Sequence, residues 1–385
     1  MSKGKLDQFQ VVISNPSGVF YPGQWVQGEV IVQLNEGMKM RNARLTFSGK
    51  AYVRWTESSG TGKDRRSTTY TNEEIYFYEK VVVWGNPMDS SDDPPVMPAG
   101  LHRFPFSYQL PPHCPTSYEG FYGNIRYSVK CTLDKPWKVD HSAIAFFTVL
   151  YPLDLNLDPR AVQSIQTESS KTLGCLCCRA GDLSAQIRLS RQGFVPGESI
   201  EVNVTVNNQS SRVIESGGVR IKLQQLATYR AYTGRQKSSR DMVAEGWAMD
   251  GVGSFESKNF ILSLPVPPVP NTLESLCSII DILYSVQIEL DPSGMSTDLD
   301  LYLPVIIGSV PIRQYWAPQP QDPGSEPSAP VAPSDPSAPP SDMPPPSYEE
   351  SVFGRKALED DEVDQHTWGD RNFAPRYPVF TKSIG

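Results

Sequence analysis

The chain repeats itself, and this duplication constrains its fold more than any other feature. The sequence YPG at residues 21–23 precedes a segment rich in alternating apolar residues, and VPG at residues 195–197 precedes a segment of the same kind. A second pair of markers, IRYSV at residues 125–129 and ILYSV at residues 282–286, follows in the same order. The sequence therefore predicts two copies of one domain.

The repeated segments have the pattern of β-strands. Apolar and polar residues alternate in segments 25–32 and 200–206, where β-branched and aromatic residues dominate, and glycine, proline and asparagine recur between such segments. Short strands separated by turn residues are typical of antiparallel sandwiches, and no long segment has a helical period. The expected fold class is all-β, with two tandem immunoglobulin-like β-sandwich domains.

Composition predicts where these domains end. We expect the N-terminal sandwich over residues 1–151, a cysteine-containing connector over 152–181, the C-terminal sandwich over 182–316 and a tail over 317–385. Twelve prolines fall between residues 318 and 346 of the tail. Such a segment buries too little apolar surface to offset chain entropy, so we expect a disordered, proline-rich tail.

The charge of the chain is concentrated in the tail. The formal net charge is −8, and residues 317–385 carry 12 acidic and 5 basic side chains, so the body is close to neutral. A general nucleic-acid-binding protein carries a basic excess, so we expect no nucleic-acid partner.

The tail contains one motif with a clear chemical meaning, PPSY at residues 345–348. Proline fixes φ near the polyproline II value, and the aromatic grooves of WW domains bind such segments. Pro345, Pro346, Ser347 and Tyr348 are therefore the predicted WW-binding residues. Pro375 and Tyr377 form a related sequence that lacks the first proline. It is either a weak second WW contact or a segment that docks nowhere.

Three of the six cysteines, Cys175, Cys177 and Cys178, cluster in the connector. Their spacing is too tight for an ordinary disulfide framework. Two interpretations stay open, free thiols on an ordinary connector and reversible acylation beside Arg179. No second cysteine pair or histidine cluster completes a zinc site, so we expect no metal and no cofactor.

Basic residues follow equivalent strands in the two copies. They are Lys63, Arg65 and Arg66 in the first copy and Arg235, Lys237 and Arg240 in the second. Both sets are interpreted either as ordinary solvated loops or as contacts for acidic cargo segments or anionic lipid, which would allow peripheral membrane association.

Catalysis and membrane insertion have no sequence signature. The four histidines are scattered and form no known catalytic pattern, so we do not expect an enzyme. No secretory signal and no apolar run of about 20 residues is visible, which favours the cytoplasm as the compartment.

Taken together, the two proline–glycine turns, the paired YSV strands, the cysteine-rich connector and the PPSY tail resemble the α-arrestins, the arrestin domain-containing proteins. The resemblance covers nearly the whole chain and implies the arrestin fold. It also implies an adaptor that holds membrane-protein cargo such as receptors or transporters. Its tail would recruit a NEDD4-type HECT ubiquitin ligase through WW domains, at the plasma membrane and on endosomes, so that cargo is ubiquitinated and endocytosed.

Two other functions fit a similar body. The first is a ligase-independent trafficking scaffold in which PPSY is incidental. The second is a regulator of receptor signalling that recognises phosphorylated receptors. Loss of Tyr348 separates the adaptor from the scaffold, and dependence on cargo phosphorylation separates the signalling regulator from both.

Overall fold

The computed structural model describes residues 5–60, 65–86, 94–136, 139–175, 178–294, 298–316, 346–357, 367–369 and 372–381. The strands of the N-terminal half are β1 (Leu6–Ile13), β2 (Val19–Phe20), β3 (Trp25–Leu34), β4 (Met38–Lys39), β5 (Asn42–Ser59), β6 (Arg66–Gly85), β7 (Val96–Met97), β8 (Gly100–Gln109), β9 (Tyr118–Glu119), β10 (Gly123–Asp134) and β11 (His141–Val149).

The second half and the tail are also built from strands. A short 3₁₀ turn (Pro159–Val162) precedes β12 (Ile165–Cys175), β13 (Cys178–Leu189), β14 (Gly193–Phe194), β15 (Ser199–Ser210), β16 (Ile214–Arg230), β17 (Gln236–Trp247), β18 (Ser257–Pro265), β19 (Ile280–Pro292), β20 (Leu299–Ile307) and helix α1 (Arg313–Trp316). The tail contributes β21 (Ser347–Glu350), β22 (Lys356–Ala357), β23 (Thr367–Trp368), β24 (Asn372–Phe373) and β25 (Arg376–Val379).

The strand order confirms the two sandwiches. In the first domain a sheet ordered β1-β3-β8 accompanies a sheet whose main path is β2-β11-β10-β5-β6. In the second domain a sheet ordered β12-β13-β15-β18 accompanies a sheet ordered β14-β20-β19-β16-β17. Except for the additional β12, each strand in these orders has a counterpart at the same place in the other domain, as the sequence repeat predicts.

The additional strand lies where the sequence analysis placed a connector. Residues 165–175 form β12, which pairs antiparallel with β13 from Ile165↔Leu189 to Cys175↔Cys178. Polar residues dominate β12, which lies at the edge of its sheet and alternates half-exposed with exposed positions over much of its length. An edge strand of this composition gives little hydrophobic periodicity, so the sequence did not reveal it.

The two proline–glycine turns have the same geometry. Gly23 and Gly197 have φ values of 85° and 95°, a region that favours glycine because it has no Cβ. The Gly23 amide donates to the Leu110 carbonyl at 3.0 Å, and the Gly197 amide donates to the Val266 carbonyl at 2.8 Å. Each turn is thus fastened to the loop that precedes the YSV strand of its own domain.

The paired YSV sequences lie on the central strands β10 and β19. Tyr127 is fully buried and its hydroxyl donates to the Pro115 carbonyl at 2.6 Å. Tyr284 is 3% exposed and donates to the Pro270 carbonyl at 2.7 Å. The same tyrosine therefore ties the same kind of proline loop to the core in both copies.

The domains contact each other through buried polar groups. The hydroxyls of Tyr118 and Tyr229 lie 2.9 Å apart, and the Asn72 amide donates to the Arg230 carbonyl at 3.1 Å. Both tyrosines are almost fully buried, so water does not compete for the hydrogen bond between Tyr118 and Tyr229. This bond therefore helps to fix the relative position of the domains.

Parts of the tail fold onto the body. Residues 346–357 and 372–381 contain short strands, and β21 pairs antiparallel with β25. Tyr377, Val379 and Phe380 are buried. The expectation of a disordered tail is therefore wrong for these residues, because they find apolar surface and backbone partners on the two sandwiches. In the described part of the chain, no helix has the length and apolar character needed to cross a membrane.

Candidate functional site

The WW-binding motif lies in the part of the tail that contacts the body. Pro346, Ser347 and Tyr348 are described, whereas Pro345 lies outside the described residues. Within β21, Ser347 is opposite Val379 and Tyr348 is opposite Pro378 of β25. Ser347 and Glu349 are exposed, and Tyr348 is half-buried.

Tyr348 contacts the proline–glycine turn of the first domain. Its hydroxyl lies 3.0 Å from the hydroxyl of Tyr21, and both rings pack against a small cluster formed by Val19, Leu150 and Tyr377. Burial raises the pKa of Tyr21 far above its usual range, and the neighbouring Tyr348 raises it further. The Tyr21 phenol therefore keeps its proton, and either hydroxyl can be the donor in this hydrogen bond.

Tyr377 is the most deeply buried of the tail residues that the structure describes. Its side chain is 1% exposed, and its hydroxyl donates to the Ser117 carbonyl at 3.0 Å. The preceding residue is fixed as well, since the Arg376 amide donates to Thr148 Oγ1 at 3.0 Å and its guanidinium donates to the Ser17 carbonyl at 3.1 Å. In this structure Pro375 and Tyr377, the possible second WW contact, are buried against the body.

Phe380 contacts the proline–glycine turn of the second domain. Its ring is 3% exposed and packs in a cluster with Leu155, Ala161, Val195 and Ile306. Its amide donates to the Pro196 carbonyl at 2.9 Å. A Cβ added to Gly197 would lie 2.1 Å from the Phe380 carbonyl oxygen, so only glycine lets the tail approach this closely.

The tail therefore reaches both equivalent turns. We call the surface formed by Val19, Leu150 and Ser117 in the first domain, and by Leu155, Ala161 and Val195 near the second turn, the tail groove. Tyr377 occupies the first part and Phe380 the second. Sequence reasoning missed this site. The available signal was the apolar sequence of residues 377–380, YPVF, within an otherwise polar and acidic tail.

Charged side chains surround the strand that carries Tyr348. Arg355 forms an ion pair with Glu350 at 2.6 Å, and Arg376 lies 3.9 Å from the same carboxylate. The hydrogen bond from Arg355 lowers the pKa of Glu350, so this carboxylate is ionised at neutral pH. The Val352 amide also donates to the Pro268 carbonyl at 3.0 Å, which fixes the turn after Glu350 on the second domain.

The described members of the predicted basic sets lie on two neighbouring hairpins. Arg65, Arg66, Arg235 and Arg240 are exposed, Lys237 is half-buried, and Lys63 lies outside the described residues. Lys237 forms an ion pair with Glu57 at 3.6 Å, and the Arg235 guanidinium lies 5.9 Å from the Tyr70 ring centroid. The structure thus brings the basic segments of the two domains together.

Two of the connector cysteines, Cys175 and Cys178, end β12 and begin β13 of one hairpin. Cys175 and Cys178 are paired through their backbones, while Cys177 and all three side chains lie outside the description. The other cysteines, Cys114, Cys131 and Cys277, are buried, and burial raises the pKa of Cys114 and Cys131 to about 12. Within the described residues, no group of three His, Cys, Asp or Glu side chains is placed to hold a metal ion.

Comparison with known proteins identifies relatives of the whole arrangement. Residues 9–156 match the family model "Arrestin (or S-antigen), N-terminal domain", and residues 179–312 match "Arrestin (or S-antigen), C-terminal domain". The chain is 28% identical to arrestin domain-containing protein 17 of Caenorhabditis elegans, over 98% of this chain and 99% of that protein.

Mammalian proteins are similar over most of the chain. Arrestin domain-containing protein 4 of Mus musculus is 30% identical, over 80% of this chain and 73% of its own length. Arrestin domain-containing protein 1 of Homo sapiens is 28% identical, over 89% of this chain and 70% of its own length.

Proposed function

Because this chain belongs to the arrestin domain-containing (α-arrestin) family, which indicates a trafficking adaptor role, we propose that it links membrane-protein cargo to a NEDD4-type HECT ubiquitin ligase. The contact with the ligase is the PPSY motif, and the ligase then ubiquitinates the cargo and promotes its endocytosis and transport. Members of this family are typically non-enzymatic adaptors, so the chemistry belongs to the ligase.

The observation that carries the proposal is the PPSY sequence itself, placed on a tail behind two arrestin sandwiches. Two consecutive prolines give the segment a preformed polyproline II shape, and Tyr348 supplies an aromatic anchor two residues later. A WW domain recognises this combination, and the tether raises the local concentration of the ligase near any cargo on the body.

A binding measurement tests the motif directly. Burial of one tyrosine anchor contributes about 2–3 kcal/mol, so Tyr348→Ala in a peptide of residues 340–356 should weaken binding to a WW domain of a NEDD4-type ligase roughly 30–150-fold. Glu349→Ala in the same peptide is the control, because an exposed charge contributes under about 1 kcal/mol. If Tyr348→Ala and the unchanged peptide bind equally well, PPSY is not the ligase contact.

In cells the same substitution should lower cargo ubiquitination. We expect cargo that associates with the full chain to carry less ubiquitin with Tyr348→Ala, while cargo association itself is unchanged. Proximity labelling with the full chain, compared between the unchanged protein and Tyr348→Ala, would identify the ligase among the lost partners and the cargo among the retained ones.

For the cargo or lipid contact we propose the basic residues of the two neighbouring hairpins, Arg65 and Arg66 on one and Arg235, Lys237 and Arg240 on the other. Lys63, which lies outside the described residues, belongs to the same proposed set. Each exposed basic residue near an anionic membrane contributes about 1 kcal/mol. Recruitment from the cytoplasm to the plasma membrane and endosomes would follow from this contact, and from acylation of Cys175, Cys177 or Cys178. Charge reversal at Lys63, Arg65 and Arg66 should reduce cosedimentation with phosphatidylserine vesicles, and unchanged cosedimentation would refute this role.

One observation favours a second candidate, a ligase-independent trafficking scaffold or receptor-signalling regulator. Tyr348 has a structural partner in Tyr21, so the tyrosine of PPSY has a role even without a WW domain. On this alternative, Tyr348→Ala would disturb docking of the tail and leave cargo ubiquitination unchanged.

A further inference from the structure

The PPSY tyrosine is not free in this structure, and this limits when a WW domain can bind it. A WW domain takes up its ligand as a polyproline II segment and receives the aromatic ring in a pocket. Here residues 347–350 are paired as a strand with β25, and the Tyr348 ring is half-buried against Tyr21. The same backbone and the same ring cannot serve both partners at once.

The contacts that hold this arrangement lie mostly outside the motif. Tyr377 and Phe380 are buried in the tail groove, and Arg376 is hydrogen-bonded through its amide and its guanidinium. Residues 376–380 thus anchor β25, and β25 holds β21. The motif itself contributes its pairing with β25, a hydrogen bond from the Ser347 hydroxyl to the Val379 carbonyl at 3.4 Å, the hydroxyl contact between Tyr348 and Tyr21, and partial burial of one ring.

We infer that residues 376–380 are an internal ligand of the tail groove and that their docking masks Tyr348 from WW domains. This inference rests on the proposed function and describes how binding of the ligase is regulated. The ligase binds only when residues 376–380 leave the groove. A partner that presents two aromatic side chains at the spacing of Tyr377 and Phe380 would displace them and expose the motif.

The groove spans both domains, which makes docking sensitive to their arrangement. Tyr377 contacts Val19, Leu150 and the Ser117 carbonyl of the first domain, while Phe380 contacts Val195 and the Pro196 carbonyl next to the second turn. The two anchors are only three positions apart in sequence. A shift of one domain against the other would therefore break at least one of the two contacts.

The test compares the affinity of an isolated NEDD4-type WW domain for four ligands. They are the peptide of residues 340–356, the full chain, the full chain with Phe380→Ala and the full chain with Tyr377→Ala. The observed affinity of the full chain equals that of the free motif multiplied by the undocked fraction. We expect the full chain to bind at least about tenfold more weakly than the peptide, which corresponds to about 90% docking.

The two variants should recover most of the affinity of the peptide, because they remove an anchor and leave PPSY intact. Phe121→Ala is the matched control, since Phe121 is 74% exposed and lies outside the groove. Hydrogen exchange provides a second readout that needs no WW domain. The amides of residues 347–352 should lose protection in Phe380→Ala, while those of β10 and β19 keep theirs and show that the body is folded.

The outcomes separate this inference from the function on which it rests. If the peptide and the full chain bind with equal affinity, or if Phe380→Ala leaves both affinity and exchange unchanged, masking is wrong and the adaptor proposal stands. If the peptide of residues 340–356 binds no more tightly than the same peptide with Tyr348→Ala, the adaptor proposal fails and the inference fails with it.

Discussion

Tyr127 and Tyr284 allow a quantitative test of how hydrogen bonds stabilise the two copies of the fold. Each lies on the central strand of its domain and donates a hydrogen bond to a proline carbonyl. Tyr284 makes one additional bond, because its hydroxyl accepts a hydrogen bond from Gln225 Nε2 at 2.7 Å. Burial raises the pKa of both phenols well above their usual range, so each hydroxyl keeps its proton and remains a donor.

Replacing either tyrosine by phenylalanine removes only the hydroxyl. Tyr127→Phe leaves one buried carbonyl without this donor, which should cost about 1–2 kcal/mol of unfolding free energy. Tyr284→Phe also leaves the buried Gln225 amide without its acceptor, so we expect a cost of about 2–4 kcal/mol. Tyr232→Phe is the control, because this side chain is 89% exposed and should change stability by less than about 0.5 kcal/mol.

Urea unfolding followed by tryptophan fluorescence measures these differences, and hydrogen exchange of β10 and β19 assigns each loss to its domain. A double-mutant cycle isolates the additional bond, since Tyr284→Phe should cost only about 1–2 kcal/mol in a Gln225→Met background. Equal losses for Tyr127→Phe and Tyr284→Phe, or a Tyr284→Phe loss that Gln225→Met does not reduce, would refute the reasoning.

Two further predictions concern other groups. Hydroxylamine-sensitive acyl labelling of the chain should disappear when Cys175, Cys177 and Cys178 are all replaced by serine, because Cys114, Cys131 and Cys277 are buried; labelling that persists would contradict the acylation proposal. Burial alone would raise the pKa of Glu289, but hydrogen bonds from Lys222 and Arg220 outweigh it and lower this pKa. The ionised carboxylate therefore stabilises the fold above its unfolded pKa of about 4.3, and this stability is lost as pH falls through the lower folded pKa. The difference in urea midpoint between the unchanged protein and Glu289→Gln should shrink as pH falls from 7 to 3, and a constant difference would contradict this assignment.

The sequence was sufficient to predict the architecture because its signals are local and occur twice. A proline–glycine turn fixes backbone angles within four residues, and the alternation around Tyr127 and Tyr284 fixes which face of a strand is buried. Each marker in one copy supports the interpretation of the same marker in the other. The positions of β10 and β19 at the centre of their sheets confirm that interpretation.

The docked tail could not be predicted in the same way. The partners of Tyr377 and Phe380 come from both domains and are far apart in sequence. No periodic pattern in the sequence therefore predicts the groove. Composition correctly indicated a tail poor in apolar residues, but an average over residues 317–385 hides a short apolar segment. The motif PPSY was visible, whereas the partner of its tyrosine, Tyr21, became evident only in three dimensions.

The tail groove has a consequence for the order of folding. The hydrogen bond from Arg376 to the Ser17 carbonyl joins residues 359 positions apart, and contacts of such high sequence separation form late. The groove also requires both sandwiches, so docking of residues 376–380 can follow only after both domains have folded and is lost when either domain loosens. A newly made or heat-damaged molecule would thus display PPSY openly. On the proposed function, it would then be the molecule most readily ubiquitinated by the ligase that PPSY recruits, and faulty chains would be removed before they bind cargo.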